Sequence, residues 1–520
     1  MHLRRRLFCP TLSACTLVAV LAACGGGGGS STAPAPGTPV HGTLLQNPPQ
    51  RVSLLSAVGI ASRLGDIPQQ ALALLAVAPV CDVAVYHLTY ETVGGAGEPT
   101  TASAALMVPV GLDARCRGPR PVVLYAHGTS TDRNFNIADL EIQKNGEGIA
   151  LAAFFASQGD IVVAPNFTGY DTSMLPYHPF LVADAQSSDM IDALTAARSA
   201  LPVSSAPLTT DGGRLFITGY SQGGYVAMAT HRAMQLAGMP VTAAAPMSGP
   251  YALAAFVDAI FAGRVNGGGP VSATLLITGY EHAYGNIYAA TTDVFSAEYA
   301  TGIESLLPST SSRSGLYAAG KLPQYALFSS TAPSPEFVAL TPATDPAALA
   351  SVFAQGFGTG NLITNDYRQK YLLDAQANPD GGWPTMTTGV AAPAPGLAWR
   401  DALRRNDLRT FTPTSPVLLC GGDSDPIVYW FNTQLMQGYW SHQVPAPGAV
   451  TVLDVDAGAT TSGGYANLRT GFAIAKSAVA AAAVIGGATD GGASAVLDAY
   501  HASLVAPFCF AAVQEFFAEH

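Results

Sequence analysis

Ser221 stands at the centre of Gly219-Tyr220-Ser221-Gln222-Gly223, between the apolar run Arg214-Leu215-Phe216-Ile217-Thr218 and a stretch of helical spacing from Gly224 to Gln235. A strand that turns into a helix within one or two residues forces its central Ser into a strained backbone region, and the flanking glycines let the two elements approach each other. The hydroxyl then projects from the sheet edge beside the free N–H groups that open the helix. A serine hydroxyl is a poor nucleophile and requires a base within hydrogen-bond reach, itself oriented by a carboxylate. In a chain with 54 glycines the pattern alone is weak, and an incidental Ser in a Gly-rich loop is the plain alternative. The flanks carry the reading: Asp211-Gly212-Gly213 bounds the strand, and Val226, Met228, Ala229, Ala233, Met234 and Ala237 follow at largely helical spacing.

The elements that must position such a site begin at Cys81. Residues 83–90 and 101–108 alternate as an edge hairpin, and the continuous apolar run 121–126 suits a central strand buried on both faces. The pattern then predicts a helix over 149–157, a strand over 159–165, a helix over 182–200, the strand and helix around Ser221, and a strand over 241–246. Strands alternating with helices of this length imply an α/β fold, a mostly parallel central sheet flanked by helices. Between 251 and 412 the alternation breaks into short helical patterns rich in Ser, Thr, Pro and aromatics, read as a cap inserted in the sheet domain; a second independent domain is the alternative. The sheet resumes at 416–420 and 450–455, followed by an Ala/Gly-rich helical excursion at 467–485 and a last helix from about Leu497, past His501, to Phe517.

Residues 1–23 read as an export signal, with Arg4, Arg5 and Arg6 before an apolar stretch too short for a stable span. Leu21-Ala22-Ala23-Cys24 resembles the lipobox of bacterial lipoproteins, which implies that Cys24 is acylated and attaches the protein to a membrane; ordinary secretory cleavage is the alternative. Gly25 in place of Asp resembles lipoproteins sorted to the outer membrane. Residues 24–50, rich in Gly, Ser and Pro, read as a tether, leaving 51–250 and 413–520 as the two parts of the sheet domain around the 251–412 cap. The net charge of −11 becomes more negative once three arginines leave with the signal, so nucleic acid is not an expected partner. Of seven cysteines, Cys81, Cys116, Cys420 and Cys509 remain after the signal and the lipidated residue. Three connectivities are possible; the favoured one pairs Cys81 with Cys116, bracketing the first two strands, and Cys420 with Cys509, tying a sheet strand to the last helix. Zinc-type cysteine spacing, His-Glu-x-x-His and a dinucleotide fingerprint are all missing from the sequence, and neither metal nor cofactor is expected.

His127-Gly128-Thr129, Gly169-Tyr170, His178-Pro179-Phe180-Leu181, the turn at Ser221, Asp425 before Ile427-Val428, and His501 together resemble the α/β-hydrolase superfamily. Within it they resemble secreted bacterial and fungal lipases of the lipase A type, over most of residues 81–520. The resemblance implies the chain order Ser, acid, His. Asp425, just beyond a sheet strand, is then the expected acid, with Asp423 its close rival and Asp454 and Asp456 behind. Of His442, His501 and His520, His501 is the expected base, because His442 precedes the final strand and His520 ends the chain. The second oxyanion donor to the N–H of Gln222 is expected from Thr129, or less readily Gly128. His127 is expected to be structural, and His231 and His282 to be packing or surface residues. Two departures stand out: Asn166 where relatives often carry Asp, and a 76-residue interval from Asp425 to His501 that requires the 467–485 excursion to loop out.

The expectation is an exported, lipid-anchored serine carboxylic-ester hydrolase of the lipase or esterase type, acting on a small-molecule ester or lipid through an acyl-enzyme. A serine peptidase on the same fold and a non-catalytic surface binding protein are the alternatives.

Overall fold

The computed structural model describes residues 41–66, 71, 75–141, 146–204, 208–380, 392, 394–443, 448–458 and 464–520. The signal segment and Cys24 lie outside the described residues.

Nine strands form one sheet: β1 (Gln50–Leu55), β2 (Asp82–Val93), β3 (Pro99–Val110), β4 (Gly118–Ala126), β5 (Ile161–Pro165), β6 (Thr209–Tyr220), β7 (Ala243–Met247), β10 (Val417–Gly421) and β11 (Val450–Asp454). Two further short strands, β8 (Phe328–Ser329) and β9 (Phe357–Gly358), pair with each other within the 251–412 segment. The sheet order is β1-β2-β3-β5-β4-β6-β7-β10-β11, antiparallel from β1 to β5 and parallel from β5 to β11. The buried stretches of the parallel strands, 121–126 in β4 and 215–217 in β6 among them, are apolar because both faces are covered there. In β4, Val122, Leu124 and Ala126 join the core on one side while Val123 and Tyr125 join the other. The helices Ala183–Ser204 and Gln222–Leu236 fill the first face; Gly146–Phe154 and the C-terminal helix Ala506–Ala518 fill the second.

Two expectations change. Residues 41–50, which the sequence reading assigned to the tether, are already fixed along β2: the N–H groups of Gly42 and Leu45 donate to the carbonyls of Glu91 and Thr89, and β1 begins at Gln50. The last helix is also not uniform, because a π-helical turn, Tyr500–Val505, separates Ala493–Ala499 from Ala506–Ala518.

The 251–412 segment is mostly helical, and its apolar side chains, among them Leu253, Phe261, Leu276 and Trp399, belong to the same packed cluster as the helices on the first face of the sheet. The fully buried Arg409 is held by Asp380 through both carboxylate oxygens and by Asp407, while Arg400 binds Asp258 and Asp374. Charges this deeply buried persist only when paired. Disulfides join Cys81 to Cys116 and Cys420 to Cys509, the pairing expected from the strand positions. The second ties the strand leading to Asp425 covalently to the helix that follows His501. Such bonds persist in oxidising compartments, which agrees with export.

Candidate active site

β6 ends at Tyr220 and the helix starts at Gln222, so the whole reversal falls on Ser221, whose backbone lies at φ 60°, ψ −120°. That region is strained for any residue with a Cβ. The neighbours must then be small: a Cβ on Gly219 would lie 2.4 Å from the Gly223 carbonyl oxygen, and one on Gly223 only 1.9 Å from that of Ala126. The sharp strand-to-helix turn read from the sequence is thus present at Ser221. At the first turn of the helix the N–H of Gln222 has no carbonyl within the helix to bond.

Asp425 sits in the loop after β10 and is 1% exposed. Its Oδ1 accepts hydrogen bonds from the backbone N–H groups of Ile427 at 2.9 Å and Val428 at 3.1 Å, and its Oδ2 lies 2.7 Å from Nδ1 of His501. In the neutral ring, Nδ1 donates there and Nε2 carries the lone pair; that nitrogen is buried and makes no hydrogen bond, to the Ser221 hydroxyl or to any other group, among the described residues. Asp423, the rival acid, is exposed and accepts from the Ser424 hydroxyl. Asp454 accepts the N–H groups of Asp423 and Asp456, and Asp456 accepts from Lys476 and Tyr500. Burial pushes Asp454 up to about 6. His442 is exposed on the carbonyl of Gly438, and His520 bonds the carbonyl of Phe516. Of the candidate acids and bases, the structure joins Asp425 to His501. It places the His501 ring 4.9 Å from that of Tyr220, the residue before Ser221.

Thr129, Ser221 and Gln222 share one pocket of about 700 Å³ counted out to solvent. The helices Leu253–Phe261 and Gly269–Tyr284 supply the largest share of its wall, with Trp399, Ile427 and Val428 among the rest. Its lining is mainly apolar, with Thr129, Ser221, Gln222, Asn266 and Ser272 as its polar side chains. The 251–412 segment is tied to the loop of Asp425: Asn266 Nδ2 donates to the Ile427 carbonyl at 2.8 Å, the Gly267 N–H to that of Pro426 at 3.2 Å, and the Tyr429 hydroxyl to that of Arg264 at 2.6 Å.

The Gly128 N–H, one of the expected donors, is engaged with Oε1 of Glu147 at 3.1 Å. The Tyr125 hydroxyl donates to the same oxygen. Burial pushes the Glu147 carboxyl above its ordinary range. Sequence reasoning missed Glu147, since only the tertiary fold brings it beneath the 127–129 loop. We predict that Glu147→Ala, by freeing that loop, lowers kcat about 10- to 100-fold on a simple ester. Steady-state kinetics alongside thermal melting check this; unchanged kcat in a folded variant would leave Glu147 a packing residue.

His178 was singled out as part of a motif without a role. Its Nδ1 bonds the Thr168 carbonyl at 2.8 Å, which leaves Nε2 to accept from the Gln222 side-chain amide at 2.7 Å. Burial lowers His178 to about 3, so it stays neutral and this polarity is fixed. His127 is fully buried between the carbonyls of Gly128 and Asn166 and is likewise held down, to about 4. Asn166 itself packs the loop, accepting from the Ile137 N–H and donating to Ser103. His231 is buried in the helix after Ser221 against Phe411, and His282 stacks on Tyr177.

No family model matches the sequence, and no curated protein matches it significantly. Solved structures do. The rice cell wall degrading esterase LipA from Xanthomonas oryzae is 26% identical, with 89% of this chain and 98% of that one covered, at a TM-score of 0.61. A point mutant of the same esterase aligns at 25% identity over 92% of this chain and 99% of that one, at a TM-score of 0.65. A hydrolase candidate from Legionella pneumophila shares the fold at 18% identity, 79% and 92% coverage, and a TM-score of 0.57. The strand order, the turn at Ser221 and this likeness together make the chain a protein of the α/β-hydrolase fold, similar over most of its length to the esterase LipA.

Proposed function

We propose that the protein is a serine carboxylic-ester hydrolase of the lipase or esterase type. The observation that carries the reading is the Asp425–His501 hydrogen bond, in which Nδ1 of the neutral ring donates and Nε2 is left without a protein partner; the strained turn at Ser221 stands beside it as the second support. The similarity to an esterase over most of the chain supports the same class. In this mechanism Nε2 takes the proton of the Ser221 hydroxyl as it attacks the ester carbonyl, and Asp425 steadies the imidazolium that forms. The N–H groups of Gln222 and Thr129 receive the oxyanion; Gly128 is the poorer candidate because its N–H is already used. His501 returns the proton to the leaving alcohol, and water then resolves the acyl-enzyme by the same steps in reverse. The apolar pocket beneath the cap takes the acyl or aryl part of the ester. Attachment through an acylated Cys24 to a bacterial outer membrane, on its periplasmic or outer side, completes the proposal and places the enzyme near lipidic or other esters.

The test is a panel of p-nitrophenyl acyl esters set against peptide anilides. Turnover of esters with no detectable anilide cleavage is expected. Anilide cleavage of comparable kcat/KM would move the protein to the peptidases, and inactivity on both would favour a binding protein.

A further inference from the structure

The π-helical turn that carries His501 has a cause in the sequence. In a regular α-helix the N–H of residue 507 would bond to the carbonyl of Ser503, but residue 507 is proline. It has no N–H, and its ring crowds the carbonyl four residues back. Widening the ladder across Tyr500–Val505 relieves both problems, and His501 falls inside the widened turn. A turn of this kind has looser internal bonding than an α-helix, so something else must fix its carbonyls and the side chains they carry.

Two phenols do so. The Tyr220 hydroxyl donates to the carbonyl oxygen of His501. On the other side, the Tyr500 hydroxyl accepts the Ser424 N–H at 3.2 Å and donates to Oδ2 of Asp456 at 2.7 Å, tying the same turn to the loop of Asp425. Tyr220 is 7% exposed and packs in the core on the face of the C-terminal helix, whereas Ser221 lines the pocket. Consecutive residues of one turn thus point to opposite sides of the sheet edge. Burial pushes the Tyr220 phenol well up, so it remains a donor throughout the working pH range.

We propose that Tyr220 is a positioning residue for catalysis: its hydroxyl pins the His501 carbonyl in the π turn and so sets the reach of the imidazole toward Ser221. The inference rests on the reading of Ser221 and His501 as nucleophile and base. A Tyr in this place couples nucleophile and base through one side chain, so that a shift of the C-terminal helix cannot open the gap between them without breaking the bond. Displacements near 1 Å in such geometry cost about 10²-fold in rate.

Tyr220→Phe removes the hydroxyl and keeps the ring. On a p-nitrophenyl ester, kcat is expected to fall about 10- to 100-fold with KM unchanged within about twofold. The rate of inactivation by a fluorophosphonate should fall by the same factor. The far-downfield proton resonance of the Asp425–His501 bond should persist, which a general loss of structure would not allow. Pro507→Ala is the second variant: the regained N–H lets the α-helical ladder close, moving the His501 carbonyl off Tyr220, and the same kcat-against-KM split is expected. Wild-type kcat in a folded Tyr220→Phe protein overturns the proposal, as does wild-type kcat in Pro507→Ala should the phenylalanine variant not fold. An inactive wild-type protein would instead overturn the functional reading itself, so the two failures are distinguishable.

Discussion

Ser221→Ala is expected to fold normally and to lose about 10⁶-fold in kcat on an activated ester. Folding is spared because the substitution keeps the Cβ, so the φ of 60° is no more strained than before, and because the glycines that make room for the turn are untouched. Activity is lost because the imidazole then has a lone pair with no hydroxyl to activate. Some catalysis should remain, about 10³- to 10⁴-fold over water, since the proposed oxyanion donors at Gln222 and Thr129 and the apolar pocket would still bind and polarise the ester. A fluorophosphonate should label the wild type and not the variant. Because the reagent forms its bond with the nucleophile itself, labelling of Ser221→Ala at the wild-type rate would place the reactive hydroxyl elsewhere and remove the proposed mechanism.

The parts of the fold legible in the sequence are those whose burial is uniform. The 121–126 run could hardly be anything but a strand covered on both faces, and β4 is that strand. Helical spacing after Ser221 reports a helix packed on one side, and the structure places the helix Gln222–Leu236 there. What escaped notice is what burial does not mark. β1 lies at the sheet edge with only Leu55 buried, so Gln50-Arg51-Val52-Ser53-Leu54 carries no clear alternation and gives no strand signal. The π turn escaped because a proline in an apolar helical pattern signals a kink without saying how the ladder accommodates it. Tyr220 was in plain view inside the motif, yet its partner is a backbone carbonyl 281 residues away, which no local pattern encodes. Glu147 is the same case: the acid is visible, while the N–H of Gly128 that it holds is found only after β4 and the helix Gly146–Phe154 have packed.

Asp425→Asn should lower kcat about 10⁴-fold with little change in KM, for a reason specific to how this carboxylate is held. Oδ1 accepts two backbone N–H groups, from Ile427 and Val428, and only an oxygen can occupy that position. In the variant the amide oxygen is therefore locked there, and the NH₂ group is forced to face Nδ1 of His501. Two donors cannot share that contact, so Nδ1 must become the acceptor and the imidazole proton must move to Nε2. Nε2 is then the wrong partner for the Ser221 proton, although the ring has hardly moved. Asp423→Asn makes a sharp control, because Asp423 is exposed and its carboxylate accepts from the hydroxyl of the neighbouring Ser424; kcat should stay within about twofold of wild type. Measuring kcat for the two variants side by side separates residues only two positions apart. If the loss followed Asp423 and spared Asp425, the hydrogen bond at 2.7 Å would be a structural contact, and the base at 501 would have to find its acid elsewhere.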